Sequence, residues 1–64
     1  MRLTEFWERM REQFGAAYAE SLAKDQVLAL LGGRTVADAL EAGMPPRQVW
    51  RAVCEVFEVP AKNR

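Results

Sequence analysis

The sequence predicts an all-α fold, a compact bundle of four or five short helices with a helix-turn-helix-like C-terminal half. Apolar residues recur at three- and four-residue spacing along most of the 64-residue chain, as in amphipathic helices. Glycine and proline interrupt this pattern between the periodic stretches, where helices begin and end. No segment has the alternating pattern that is typical of a strand.

The first helix is predicted over residues 3–14. Its apolar residues fall on one face and its charged residues on the other. Thr4 is a candidate N-cap, and Glu5 precedes Arg9 in the favourable i,i+4 order. Gly15 is expected to end this helix.

The segment 16–31 is predicted to break into two pieces. Wound as one straight helix, its apolar residues would lie on two sides, and small bundles rarely bury both sides of a helix. Asp25 can cap a new turn. We therefore expect a helix over 16–24, a kink and a short helix to Leu31, with one continuous helix as the alternative.

Two further helices are predicted on either side of a tight turn. Thr35, followed three residues later by Asp38, resembles a capping box and predicts a helix over 36–42. Gly43 is expected to take a left-handed conformation. Two prolines follow, and the second can begin a last helix over 46–58 because proline is tolerated in a first turn.

The chain is predicted to form a single domain over residues 1–64, with a frayed tail at 61–64. A domain of this size buries only about 60% of the surface that its unfolded chain exposes, so its packing must be efficient. The expected core comprises Phe6, Trp7, Met10, Phe14, Tyr18, Leu22, Leu28, Leu31, Val36, Leu40, Val49, Trp50, Val53 and Phe57.

The charge and residue composition exclude several classes of function. Nine basic and nine acidic residues balance, and there is no histidine. A neutral chain has no general attraction for polyanions or anionic membranes, so contact with nucleic acid needs a local basic patch. The single cysteine excludes an intramolecular disulfide and a cysteine-based metal site. With a charged N-terminus and no long apolar run, we expect a cytoplasmic protein.

The residue types favour a protein without catalytic residues, cofactor or metal. Without histidine, a general base would have to be a carboxylate or a lysine. Cys54 lies at the apolar edge of the last helix and is expected to be a buried structural thiol. Arg34 follows two glycines and precedes a capped helix, where an anion could bind. A pair of ordinary helix caps explains the same residues.

The last helix carries its charges in an unusual order. Arg47 and Arg51 lie in its first half, whereas Glu55 and Glu58 lie in its second half. The helix macrodipole favours the opposite order by a few tenths of a kcal/mol per charge, up to ~1 kcal/mol. The two arginines are also i,i+4 neighbours of like charge, which is mildly repulsive.

Two interpretations explain this order. In the first, an exposed face formed by Arg47, Gln48 and Arg51 binds an acidic surface outside the chain. In the second, the arginines pair within the chain, either with Glu55 or with carboxylates of the preceding helix.

Residues 34–58 also fit the pattern of a helix-turn-helix. Ala39 is the small residue of the first helix, Gly43 opens the turn and Val49 is the apolar anchor of the second helix. The two arginines would then lie near the N-terminal end of a recognition helix. The neutral charge and the acidic residues of the preceding helix argue against DNA binding.

The segments LTEFW, YAES, LGGRTV and VWRAVCE, with the residues around them, resemble a small actinobacterial family named domain of unknown function 3046. The resemblance extends from Met1 to Ala61. It implies a stand-alone cytoplasmic actinobacterial protein and supplies no catalytic residues. Such proteins are often encoded near recombination genes, which hints at a link with DNA metabolism.

We therefore expect a non-catalytic interaction module that binds a protein partner. The candidate binding residues are Arg47, Gln48 and Arg51, with Arg34 as a further contact. The alternative is a DNA-binding, helix-turn-helix-like protein linked to DNA metabolism. A third interpretation is a homo-oligomer that completes its small core across a symmetric interface.

Overall fold

Two helices joined by one glycine form the N-terminal half of the chain. The computed structural model describes all 64 residues. Helix α1 spans Leu3–Phe14, which confirms the predicted bounds, and helix α2 spans Ala16–Asp25. Arg2 rather than Thr4 occupies the N-cap position of α1, and no side chain caps this helix. The predicted ion pair between Glu5 and Arg9 forms at 3.2 Å.

A two-stranded antiparallel sheet follows α2, and the expectation of a chain without strands is wrong. Strand β1, Val27–Leu28, pairs with strand β2, Arg34–Thr35. Residues Ala29–Leu31 between them form a single 3₁₀ turn. The break after α2 is confirmed, but the predicted short helix to Leu31 is wrong beyond this turn. Strands of two residues are too short to produce an alternating pattern in a sequence.

Helix α3 spans Val36–Glu41, one residue shorter than predicted. The backbone N–H of Asp38 donates to the Thr35 hydroxyl at 3.1 Å, which confirms the predicted cap. At the other end, the Met44 N–H donates to the Ala39 carbonyl at 3.1 Å. Gly43 has a φ of +98°, so a Schellman-type turn ends the helix.

Helix α4 spans Pro46–Val56 and ends two residues earlier than predicted. The chain turns back there because the Val59 N–H donates to the Cys54 carbonyl at 3.1 Å. This closure places Glu58 in the left-handed region, with a φ of +52°, and no other residue except glycine has a positive φ. The buried side chain of Val59 then closes the end of α4.

Replacing Glu58 with glycine is expected to stabilise the fold by about 0.5–1 kcal/mol. A residue with a Cβ is strained at a φ of +52°, and glycine is not. Part of the gain is lost, because glycine raises the conformational entropy of the unfolded chain. Urea unfolding followed by circular dichroism measures the change. Glu58→Gln removes the charge but keeps the strain, so it should stabilise less. A lower midpoint for Glu58→Gly would contradict the assignment of strain.

The C-terminal residues, for which the sequence predicts a frayed tail, form a 3₁₀ turn over Ala61–Asn63. The side chain of Asn63 donates to Gln13 of α1 at 3.2 Å. The guanidinium of Arg9, also on α1, donates to the Arg64 carbonyl at 2.8 Å. This C-terminal turn therefore lies against α1, and Arg64 follows it.

The four helices and the small sheet enclose one core. Helix α1 packs on α2 and α4, while α3 packs on α2 and α4. The Cα radius of gyration is 10.4 Å, close to the value of about 10.7 Å that is typical of a compact chain of this length. The fold is mostly helical, as predicted. No helix combines the length and the apolar character that crossing a membrane requires.

Most of the predicted core is buried or half-buried, but Tyr18 is 52% exposed. Helix α2 instead buries Leu22 together with the small side chains of Ala19 and Ala23. These three positions form a stripe at three- and four-residue spacing, and their small size lets α2 approach its neighbours closely. Tyr18 lies beside this stripe and contacts Phe14 edge-on at 6.1 Å.

Candidate functional site

Three of the four residues predicted to bind a partner lie on the exposed side of α4. Arg47, Gln48 and Arg51 are all exposed, whereas Val49 and Val53 of the same helix are fully buried. Buried and exposed positions therefore alternate at helical spacing, which anchors α4 in the core and leaves its polar side free. Arg47, Gln48 and Arg51 form what we call the α4 face.

Neither arginine of the α4 face has a carboxylate partner. The three ion pairs in the molecule join Arg9 to Glu5, Lys24 to Glu20, and Arg64 to Glu55. The alternative in which Arg51 pairs with Glu55, or with a carboxylate of α3, is therefore not found. Glu55 instead contacts the Arg64 guanidinium, with 3.6 Å between Nη1 and Oε1.

A surface groove of about 310 Å³ lies beside the α4 face. Arg47 and Arg51 line it, together with three further residues of α4 and with Arg64 from beyond the C-terminal turn. Its full lining is Arg47, Trp50, Arg51, Cys54, Glu55 and Arg64. We call it the basic groove, because it combines three guanidinium groups with a single carboxylate.

The side chain of Arg64 is held in place by the end of α4. Its Nε donates to the Val59 carbonyl at 2.7 Å, and Nη2 donates to the Cys54 carbonyl at 3.4 Å. These carbonyls belong to the segment where α4 ends and the chain turns back. Because a frayed tail has no fixed neighbours, sequence reasoning does not include Arg64 among the candidate residues. The only signal in the sequence is that the tail contains two basic residues, Lys62 and Arg64.

Arg34 is exposed but does not line the basic groove. It lies on β2, opposite Leu28 of β1. The structure therefore brings Arg47 and Arg51 together with Arg64, and leaves Arg34 outside this set.

The apolar side of the basic groove is formed by Trp50 and Cys54. Trp50 is only 4% exposed, and its indole N–H is buried without a hydrogen-bond partner. Cys54 is a buried free thiol. Burial raises the pKa of Cys54, so the thiol stays protonated at neutral pH. A protonated, buried thiol is a poor nucleophile, in keeping with the structural role predicted for it.

A second groove lies between α1 and the C-terminal turn, and we call it the acidic groove because three carboxylates and only two cationic side chains line it. Its volume is about 480 Å³, and no hydrophobic residue lines it. Its carboxylates are those of Glu5, Glu8 and Glu12. Arg9 donates a hydrogen bond to Glu5 and thereby lowers the pKa of that carboxyl group. No three carboxylate or cysteine side chains come together as a metal site anywhere in the chain.

These features define a small, mostly helical domain with an exposed, unpaired cationic face on its last helix. Residues 1–62 match the family described as "Protein of unknown function (DUF3046)", and the chain belongs to that family. The family resemblance predicted from the sequence is thereby confirmed. No curated protein and no solved structure matches the chain.

Proposed function

We propose that this protein is a non-catalytic cytoplasmic interaction module that binds an acidic segment of a protein partner through the α4 face. The observation that carries the proposal is that Arg47 and Arg51, which are neighbours on one helix face and line one groove, both lack a carboxylate partner. Both side chains are exposed, so their charges are available to a ligand.

The position of these charges within α4 supports the same function. The first turn of the helix contains arginine and no acidic residue, so the cationic side chains add to the positive end of the macrodipole. This arrangement destabilises the free protein by a few tenths of a kcal/mol per charge. An anionic partner removes that cost, since its negative charge favours both the arginines and the helix terminus.

The chemistry available elsewhere in the chain is consistent with a binding role. The protein has no histidine, and its only thiol is buried with a raised pKa. General acid–base and nucleophilic catalysis both depend on groups with a suitable pKa that a substrate can reach.

Reversing both charges of the α4 face is expected to abolish partner binding without unfolding the domain. The variant Arg47→Glu/Arg51→Glu should lose proteins that the wild-type chain captures from native cytoplasm treated with nuclease. Arg2→Glu/Arg11→Glu is a matched control, because it reverses two exposed arginines that also lack ion pairs. Circular dichroism checks the fold of both variants. Equal capture by all three proteins would rule out the α4 face as the binding surface.

DNA binding through the same helix is the second candidate function. It is favoured by the arrangement of α3, a tight turn and α4, with Arg47 and Gln48 exposed near the start of the second helix. The exposed carboxylates of Asp38 and Glu41 on α3 disfavour it, because they would repel the phosphate backbone.

A titration of duplex DNA distinguishes the two functions. DNA binding predicts an affinity that falls steeply with salt, since neutralised phosphates release counterions. Fluorescence anisotropy with a labelled duplex at low salt would measure it. The absence of any change in anisotropy would exclude the DNA-binding function, whereas capture that depends on nuclease-sensitive material would support it.

A further inference from the structure

We infer that the basic groove binds a carboxylate side chain of the acidic partner, and that Arg64 is the third cationic residue of this groove, after Arg47 and Arg51. This inference rests on the proposed function and specifies the chemistry of the ligand. It also adds to the binding site a residue from beyond the C-terminal turn, which the sequence does not connect with α4.

The charges around the groove favour an anion. Arg47, Arg51 and Arg64 line it, and Glu55 is the only acidic residue among the lining residues. Glu55 contacts Arg64 and leaves Arg51 without a partner. A carboxylate from outside would therefore meet two guanidinium groups that no other side chain occupies, and guanidinium binds carboxylate through paired hydrogen bonds.

The position of Arg64 is fixed before any ligand binds. Its guanidinium group is held by two backbone carbonyls and by Glu55. Such preorganisation lowers the entropy that binding would otherwise cost. The contact with Arg64 also engages Glu55, which lies four residues after Arg51 on the same helix and would otherwise be its natural partner. Arg64 thus supplies a cation to the groove and leaves Arg51 without an ion-pair partner.

The size and lining of the groove favour an acidic side chain over a nucleic acid. Its volume of about 310 Å³ is at the lower end of the range that is typical of small-molecule pockets. The buried side of the groove, formed by Trp50 and Cys54, suits the methylene groups of a glutamate side chain. A DNA duplex presents its phosphates on a broad convex surface and offers no aliphatic chain to this buried side.

Nuclear magnetic resonance gives a direct test with a hexaglutamate peptide as the probe. The chain has two tryptophans, so the ¹H–¹⁵N spectrum contains two indole signals. Trp50 lines the basic groove, whereas Trp7 lines a separate groove between α1 and α2. We expect the peptide to shift the Trp50 indole signal and the backbone signals of Arg51 and Arg64. The Trp7 indole signal should remain in place.

Two substitutions in the groove are expected to change peptide affinity in opposite directions. Arg64→Ala should weaken binding about three- to fivefold, as is typical of partly exposed charge pairs. Glu55→Gln should strengthen it about twofold, because it removes the repelling carboxylate while two backbone carbonyls still hold Arg64. Lys62→Ala is the control for the C-terminal turn, because Lys62 lines the acidic groove instead. Arg64→Lys keeps the charge without the guanidinium geometry and should retain part of the affinity. Circular dichroism establishes that each variant is folded.

The outcomes separate this inference from the proposed function. If the α4 face is required for partner capture but Arg64→Ala and Glu55→Gln leave peptide affinity unchanged, the groove assignment is wrong and the proposed function stands. If hexaglutamate does not shift the Trp50 indole signal, the groove assignment is also wrong, and the proposed function again stands. A duplex DNA that shifts these signals at lower concentration than the peptide would overturn the assignment of a carboxylate ligand.

Discussion

Replacing Phe6 with alanine is expected to remove most of the stability of the protein. Phe6 is fully buried, and its ring contacts Trp7 and Trp50 edge-on, with centroids 5.2 and 6.0 Å apart. Truncation of a buried phenylalanine costs about 3–5 kcal/mol, because apolar contacts are lost and a cavity remains. Small domains have about 0.05–0.15 kcal/mol of stability per residue, or roughly 3–10 kcal/mol for a chain of this length.

Urea unfolding followed by circular dichroism at low temperature would measure this loss. Leu3→Ala is a matched control on the same helix, because Leu3 is 51% exposed. Leucine and alanine are both strong helix formers, so this exchange changes helix propensity little. The control should lose less than about 1 kcal/mol, as is typical of exposed positions. If Phe6→Ala unfolds at a urea concentration close to that of the control, Phe6 is not central to the core.

Where the sequence contains a complete local signal, it predicts the structure accurately. The bounds of α1 follow from an apolar face that ends at Gly15. The start of α3 follows from Thr35 and Asp38, whose hydrogen bond forms within four residues of chain. These features depend on neighbours in sequence, so no knowledge of the rest of the fold is needed.

Features that depend on distant contacts could not be predicted in this way. The sheet pairs Val27–Leu28 with Arg34–Thr35, and each strand is too short to show a periodic pattern. The predicted end of α4 is two residues too late, because Glu58 takes the left-handed conformation that glycine normally marks in a sequence. The position of the C-terminal turn against α1, and of Arg64 against α4, follows from that reversal of the chain.

The candidate site also combines features that depend on neighbours in sequence with features that depend on distant contacts. That Arg47 and Arg51 lie on a polar side of α4 is a property of helical spacing, and the sequence predicts it. Which carboxylates pair with them depends on the tertiary structure, and the sequence left two alternatives open. The structure does not contain the second alternative, since Glu55 pairs with Arg64 and neither arginine of the α4 face takes part in an ion pair.

Replacing Gly15 with alanine is expected to destabilise the protein by about 1–3 kcal/mol while leaving the α4 face unchanged. Gly15 has a φ of +87° and a ψ of +150°, in a region that is essentially restricted to glycine. Outside the adjoining residues, a Cβ added there would meet no atom within 4 Å, so the cost arises from the local backbone conformation and not from a contact with the rest of the fold. The residue connects α1 directly to α2, and relaxing its conformation would change the angle between them.

The substitution of asparagine at two positions tests this conformational explanation. Asparagine tolerates the left-handed helical region better than other residues with a side chain, but it has no such advantage in the extended region with positive φ. Gly15→Asn should therefore lose nearly as much stability as Gly15→Ala in urea unfolding. Glu58→Asn should lose none, because Glu58 has a φ of +52°. If asparagine restored stability at position 15, the conformation of the turn between α1 and α2 would have to be left-handed helical instead.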